Sequence, residues 1–381
     1  MCIAKRDMDC VYEAYFESNN FDPDDIPKVS APIYIFGREY NAINGTDIVK
    51  IRQDITSKLW FTYRKNFVPI GGDDGFTSDK GWGCMLRCGQ MVLGQALLFL
   101  QLGRDWIWEP DARDKTYLKI LRKFEDTRQA PFSIHQIALT GVSEGKAVGQ
   151  WFGPNTVAQV LKKLIKYDEG NSLTIHVALD NTLIVDDIRE LCQIKEQSTN
   201  HSQRQWRPLL LIVPLRLGLT EINPIYVTGL KKCFKFKQSL GVIGGKPNLA
   251  LYFVGSIGNE VIYLDPHTTQ RAGSVNNKDI EEEIEQDLTY HCKYASRMNI
   301  LNMDPSVAVC FLCKTEAEFV DLCQLIRENL MTERTPLFEI SIEKPKEWIP
   351  NPDTMAGSGE AAVLGFERDA KFDSDNEFEI L

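Results

Sequence analysis

From Cys84 to Leu102 the chain is apolar on nearly every side of a helix. A helix without a polar face has to be enclosed by a protein core or by a bilayer. Arg87, Gln90 and Gln95 interrupt the stretch, and its length is at the short end for a membrane span. It is therefore expected to be a core helix with other elements packed around it. A chain of 381 residues with 43% hydrophobic content can supply those elements without disulfides. Of its ten cysteines, several lie in apolar runs such as Ser306-Val-Ala-Val-Cys-Phe-Leu-Cys313. Acids, and no apolar h-region, follow the first residues. Reduced thiols and a cytoplasmic location are the expectation.

Residues 1–30 are polar, acidic and broken by proline, which predicts a mobile N-terminal arm. A strand is expected near Tyr34–Phe36. A helix is expected over Asp47–Tyr63 on the spacing Ile48, Ile51, Ile55 and Leu59. A glycine-rich loop spans Gly71 to Gly83. Further helices are expected over Asn155–Tyr167 and Asn181–Gln193, and a loop over Glu196–Pro208. Strands then follow at Leu209–Pro214, Leu249–Ser256, Val261–Leu264 and Val307–Leu312. Thr315-Glu-Ala-Glu318 opens a last helix with a capping-box pattern. Helices first and strands later argue for an α+β fold. The body is expected over 31–345 and a flexible tail over 346–381. From Asn351 to Leu381 there are eight acids and two bases, so −6 of the net −10 sits in the tail. The near-neutral body gives no electrostatic basis for nucleic-acid binding.

The core helix begins at Gly81-Trp-Gly-Cys84. A cysteine in the first turn of a helix sits at the positive end of the helix dipole, which lowers a thiol pKa. A cysteine there is equally well a packing residue, so a base is needed to decide. Val261-Ile-Tyr-Leu-Asp265-Pro266-His267 offers one at the end of an apolar strand. In extended backbone i and i+2 share a face, which would set Asp265 beside His267. A carboxylate on one imidazole nitrogen leaves the other for the thiol. The other four histidines lack an acid two residues away at a strand end. Cys84, His267 and Asp265 thus read as nucleophile, base and orienting acid of a cysteine protease. The Cys84 N–H would serve the oxyanion. A glutamine six residues before the nucleophile, the papain donor, is replaced by Ser78, which leaves Tyr63 as candidate phenol donor or as a plain core aromatic.

Five segments resemble the autophagy-related cysteine endopeptidases (autophagins) between about Tyr34 and Phe338: Trp60-Phe-Thr-Tyr-Arg-Lys-Asn-Phe67, Gly81-Trp-Gly-Cys-Met-Leu-Arg-Cys-Gly-Gln-Met91, Gly149-Gln-Trp-Phe-Gly-Pro-Asn-Thr-Val157, Ser239-Leu-Gly-Val-Ile-Gly-Gly-Lys-Pro-Asn248 and Tyr263-Leu-Asp-Pro-His-Thr-Thr-Gln270. The resemblance implies a papain-like fold with a small auxiliary subdomain. It implies cleavage after the C-terminal glycine of ubiquitin-like autophagy modifiers, of the light-chain and GABA-receptor-associated types, in precursors and in phosphatidylethanolamine conjugates. Cys84, His267 and Asp265 inherit the catalytic roles, Tyr63 the oxyanion role, and Trp151 and Pro247 a gate over the site. Membrane contact would come only through the lipidated substrate, the chain would act as a monomer, and no cofactor is implied.

The terminal Asp373-Ser-Asp-Asn-Glu-Phe378-Glu-Ile-Leu381 resembles the short motif that such modifiers read, with Phe378 and Leu381 filling two pockets. Cys88 lies one turn after Cys84, where packing is the default and oxidant sensing the alternative. Cys310-Phe-Leu-Cys313 lacks a partner pair at zinc spacing, so no metal is expected. Pro247 after Lys246 breaks a phosphate-loop pattern. Gly141-Val-Ser143-Glu-Gly145 matches a serine nucleophile elbow and makes a serine hydrolase the rival enzyme. An adaptor that only binds modifiers is the rival without catalysis.

Overall fold

Two eight-residue strands, Leu209–Arg216 and Ser306–Cys313, are buried at nearly every position. A strand hides both faces only where its sheet is covered on both sides. The computed structural model, which describes residues 26–344 apart from 28, 44, 169, 171, 179, 195–204, 277–278 and 295, has that architecture.

The described chain enters through β1 (Ile33–Ile35), β2 (Arg38–Tyr40) and helix α1 (Gly45–Thr56). A hairpin of β3 (Tyr63–Ile70) and β4 (Phe76–Ser78) precedes α2 (Cys84–Gln101). Next come α3 (Lys115–Arg122), α4 (Ile134–Gly141) and α5 (Pro154–Leu164). Asp114 and Ser133 cap α3 and α4 by accepting from first-turn N–H groups. Then follow β5 (Thr174–Val177), β6 (Thr182–Ile184), α6 (Val185–Cys192), β7 (Gln193–Ile194), β8 (Gln205–Trp206) and β9 (Leu209–Arg216). Helix α7 (Val227–Lys235) leads into the hairpin β10 (Ser239–Lys246) and β11 (Leu249–Ile257), then β12 (Glu260–Leu264) and β13 (Thr269–Arg271). The last elements are α8 (Ile280–Leu288), β14 (Ser296–Asn299), β15 (Ser306–Cys313), α9 (Glu316–Asn329) and β16 (Glu339–Ser341).

The main sheet runs β14-β12-β11-β10-β15-β9-β5, with β1 on the far half of β11 and β2 on β1. Side chains alternate across it with period two. Ala308, Cys310 and Leu312 of β15 join one core, and Val307, Val309, Phe311 and Cys313 join the other. The first core holds α2, buried from Cys84 to Phe99 and flanked by α3, α4 and α5. A methyl group on Gly89 would lie 2.5 Å from Val157, so glycine there lets α2 and α5 close up. Helices α6, α7 and α9 cover the opposite face. The expected enclosed core helix is present.

The local expectations differ from the structure at three places that matter for the site. The first helix stops at Thr56, not Tyr63. Leu59 keeps the apolar spacing but already pairs with His291 as an isolated bridge, and Tyr63 opens a strand. The segment expected to be helical from Asn181 begins as β6 and becomes helical only at Val185. Ser239–Lys246, which is not among the expected strands, forms β10. Gly244 and Gly245 would set a Cβ 2.7 Å from Val307 and 2.3 Å from the Leu249 carbonyl oxygen, so these glycines serve close strand packing. The expected N-terminal arm lies almost wholly, and the tail wholly, outside the described residues, as do Phe378 and Leu381.

Candidate active site

Three strand ends meet at one edge of the main sheet. β10 runs out to Lys246, β11 returns from Leu249, and β12 ends with Leu264 opposite Tyr252. The N-terminus of α2 points at the same edge. Cys84 therefore starts a helix whose first turn faces the segment after β12.

Asp265 and His267 come together by a turn, not by strand alternation. β12 has ended at Leu264, and the Asp265 carboxylate oxygen Oδ1 accepts from the His267 backbone N–H at 2.9 Å and pairs with its Nδ1 at 2.5 Å. Aspartate favours such self-bonded turns. The turn is then clamped from outside. Trp60 Nε1 donates to the Asp265 carbonyl at 2.7 Å, the Tyr63 N–H donates to the Pro266 carbonyl at 2.9 Å, and β13 pairs in parallel with β3. The Tyr63 ring meets the imidazole edge-on, with centroids 5.4 Å apart.

The second imidazole nitrogen, Nε2, is buried without a conventional hydrogen bond and has the Cys84 thiol beside it. The bond to Asp265 first, and then Cys84, raise the His267 pKa to about 9 against the opposing effect of burial. Burial alone would push the Cys84 thiol up. His267, the Ala250 backbone and the Tyr63 hydroxyl outweigh it and hold the thiol below its ordinary value. Asp265 follows the same logic: burial pushes it up, and the His267 side chain and N–H bring it below the usual carboxylate value. The other seven described cysteines are all pushed up, burial leading in each. Among the described cysteines a low thiol pKa is thus peculiar to Cys84, and it favours a thiolate–imidazolium pair. Cys88 is fully buried and its thiol is pushed well up, which favours packing over oxidant sensing.

Tyr63 is buried, and burial, then the charge and hydrogen bond of Cys84, push its phenol far above its ordinary range. It stays a hydroxyl, able to donate. Trp151 is partly buried on the first core just before α5, and its indole N–H is buried without a partner. Pro247 is exposed at the two-residue tip of the β10–β11 hairpin, next to Asn248 with φ +63°. That hairpin carries Ala250 to Cys84.

A buried cluster on the Cys84 helix went unrecognised in the sequence. Arg87 reaches Asp79 through Nε at 2.8 Å and Asp126 through Nη1 at 2.8 Å, and all three side chains are nearly inaccessible. Removing one partner of such a buried set costs about 3–5 kcal/mol. Its signal was Arg87 itself: a cation inside an apolar helix needs a buried acid.

Ser143 is not a nucleophile elbow. It lies exposed in a short turn after α4, with Oγ donating to the Thr140 carbonyl at 2.7 Å and accepting from Lys163 at 2.8 Å. No cluster of metal-ligating side chains occurs among the described residues.

A family model described as the peptidase C54 catalytic domain matches residues 48–325. The chain is 47% identical to cysteine protease ATG4A of Xenopus laevis, with 96% of each chain covered. It is 46% identical to cysteine protease ATG4B of the same species, over 98% of this chain and 100% of that one. Against human cysteine protease ATG4A the identity is 44%, over 94% and 95%.

Proposed function

The chain belongs to the peptidase C54 family of autophagy-related cysteine proteases, with an α+β, papain-like fold, and from that premise we propose that it cleaves ubiquitin-like autophagy modifiers after their C-terminal glycine. The observation that carries this reading is the pairing of a lowered Cys84 thiol with a raised, Asp265-bound His267. In it the Cys84 thiolate attacks the glycine carbonyl. The oxyanion takes hydrogen bonds from the Cys84 N–H and the Tyr63 hydroxyl. His267 protonates the departing amine, and a thioester remains. Water, deprotonated by His267, then releases the glycine carboxylate and the thiol.

The same steps serve two substrates. In a precursor the departing amine belongs to the next residue, and in a phosphatidylethanolamine conjugate it belongs to the headgroup. Both bonds are amides to a glycine carbonyl, so one site performs processing and delipidation. In this reading Trp151 and the Pro247 hairpin act as a gate that passes glycine only. Modifiers of the light-chain and GABA-receptor-associated types are the proposed partners of a monomeric chain. A membrane is met through the lipidated substrate alone, and the cytoplasm is the proposed location.

The test is to incubate the full chain with a modifier precursor and, separately, with the lipid-linked modifier on vesicles. Products ending in the glycine carboxylate are expected by mass spectrometry. Cleavage elsewhere, or none, would sink the reading. The tail motif adds a second expectation. Deleting residues 374–381, with Phe378 and Leu381, should lower kcat/KM on vesicles by about tenfold or more through lost effective concentration. Unchanged rates and modifier affinity would remove the motif from the account.

A further inference from the structure

We propose that Asp79 is a positioning residue that fixes the Tyr63 hydroxyl and the Cys84 thiol relative to one another, so that both address the same carbonyl carbon. The inference rests on the reading of Cys84 as nucleophile and Tyr63 as oxyanion donor. Its basis is the way one residue grips both segments. The Asp79 carboxylate accepts from the Arg64 N–H at 2.6 Å, and the Asp79 N–H donates back to the Arg64 carbonyl at 3.3 Å. Arg64 directly follows Tyr63, so this two-point contact sets the start of β3. The Asp79 carbonyl accepts from the N–H groups of Trp82, at 3.2 Å, and Gly83, at 2.8 Å. Gly83 directly precedes Cys84, so the same residue sets the start of α2.

The carboxylate then locks the helix a second time. Arg87, three residues after Cys84, donates to it through Nε at 2.8 Å and Nη2 at 3.2 Å. There is no slack around it: Asp79 is fully buried, and a methyl group on Gly83 would lie 2.3 Å from its Oδ2. Its negative charge also helps keep the Tyr63 phenol protonated, as a donor must be. Asp126 provides an internal comparison. It also pairs with Arg87, yet its hydrogen bond runs to the Arg87 guanidinium and not to Arg64. Neutralising Arg87 is a task the two acids share, whereas gripping β3 and the residue before the nucleophile is done by Asp79.

The experiment is a double-mutant cycle on the full chain with a modifier precursor. Asp79→Asn, Tyr63→Phe, the double variant, Asp126→Asn and Cys84→Ala are compared for kcat, KM and Tm. Asp79→Asn should lower kcat at least about tenfold with KM within about twofold, since loss of a well-placed oxyanion donor costs about 10²–10³. In the Tyr63→Phe background the same change should cost less than about twofold. Asp126→Asn should lower Tm yet leave kcat within about threefold. A merely structural role predicts instead equal losses in both backgrounds, or a fall in kcat of about tenfold in Asp126→Asn as well, and each result overturns the proposal. Should Asp79→Asn not fold, Asp79→Ser, smaller and still able to accept a hydrogen bond, carries the same cycle. If Cys84→Ala cleaves like the wild type, the underlying reading falls as well. If Cys84→Ala is inactive and the cycle is additive, only the role of Asp79 falls.

Discussion

Cys84→Ala is expected to lower precursor cleavage by about three to six orders of magnitude, the range seen when a nucleophile is removed from an otherwise intact site. No neighbouring thiol can replace it. Cys88 is the nearest in sequence, but burial holds it far from ionising, and it lies a full helical turn deeper. The variant should still fold, because alanine fits the helix start and removes one sulfur from a fully buried position. It should also still bind the modifier, since Tyr63, Trp151 and the hairpin of β10 and β11 are untouched. Rate assays, a Tm and a calorimetric titration of the modifier check all three points. Residual turnover near the wild-type rate would remove Cys84 from the mechanism.

The second large effect is expected at Asp265. Asp265→Asn should lower kcat about 10²–10⁴-fold and move the alkaline limb of the pH profile downward. The sign follows from the two shifts. Cys84 is held below its ordinary value, so the thiolate is present above that lowered pKa. His267 is raised to about 9, so the imidazolium is present below about 9. The ion pair exists between these limits, and activity should fall as pH rises through about 9, when the proton for the departing amine is lost. The bond to Asp265 is the largest influence raising His267. Without its charge the alkaline limb should move toward the unperturbed imidazole value of about 6.5. The thiol, facing a less stable imidazolium, should rise, so the active window narrows from both sides. Profiles of kcat/KM and of iodoacetamide alkylation between about pH 5 and 10 read both limbs. An alkaline limb still near 9 in Asp265→Asn would show that the carboxylate does not set the His267 pKa.

The parts of the site legible in the sequence are those encoded locally. Gly83-Cys84 marks a helix start by composition, and Asp265 and His267 are two residues apart. Their neighbours were hidden because they act across long separations. Asp79 works through Arg64 and Gly83, and Ala250 reaches Cys84 from the β10–β11 hairpin. β10 was missed because glycine has low strand propensity in general, whereas Gly244 and Gly245 stand where a side chain would strike the next strand. Tyr63 fell in an apparent helix because Leu59 prolongs an apolar spacing beyond the helix that carries it. The apolar runs Leu209–Pro214 and Val307–Leu312, by contrast, were legible as strands, and both lie in the main sheet as β9 and β15.

The strand order has a consequence in time. β15 lies between β10 and β9, although it is made well after both, and β13 must come back beside β3 from more than half the chain away. Pairings this remote form late, after the cost of closing long loops has been met. While the chain emerges from the ribosome, Cys84 exists for some 180 residues before His267 does. During that interval the thiol lacks His267, its proposed base. On the proposed reading the chain lacks a complete site throughout most of its own synthesis and gains one only as the sheet closes, a safeguard supplied by topology.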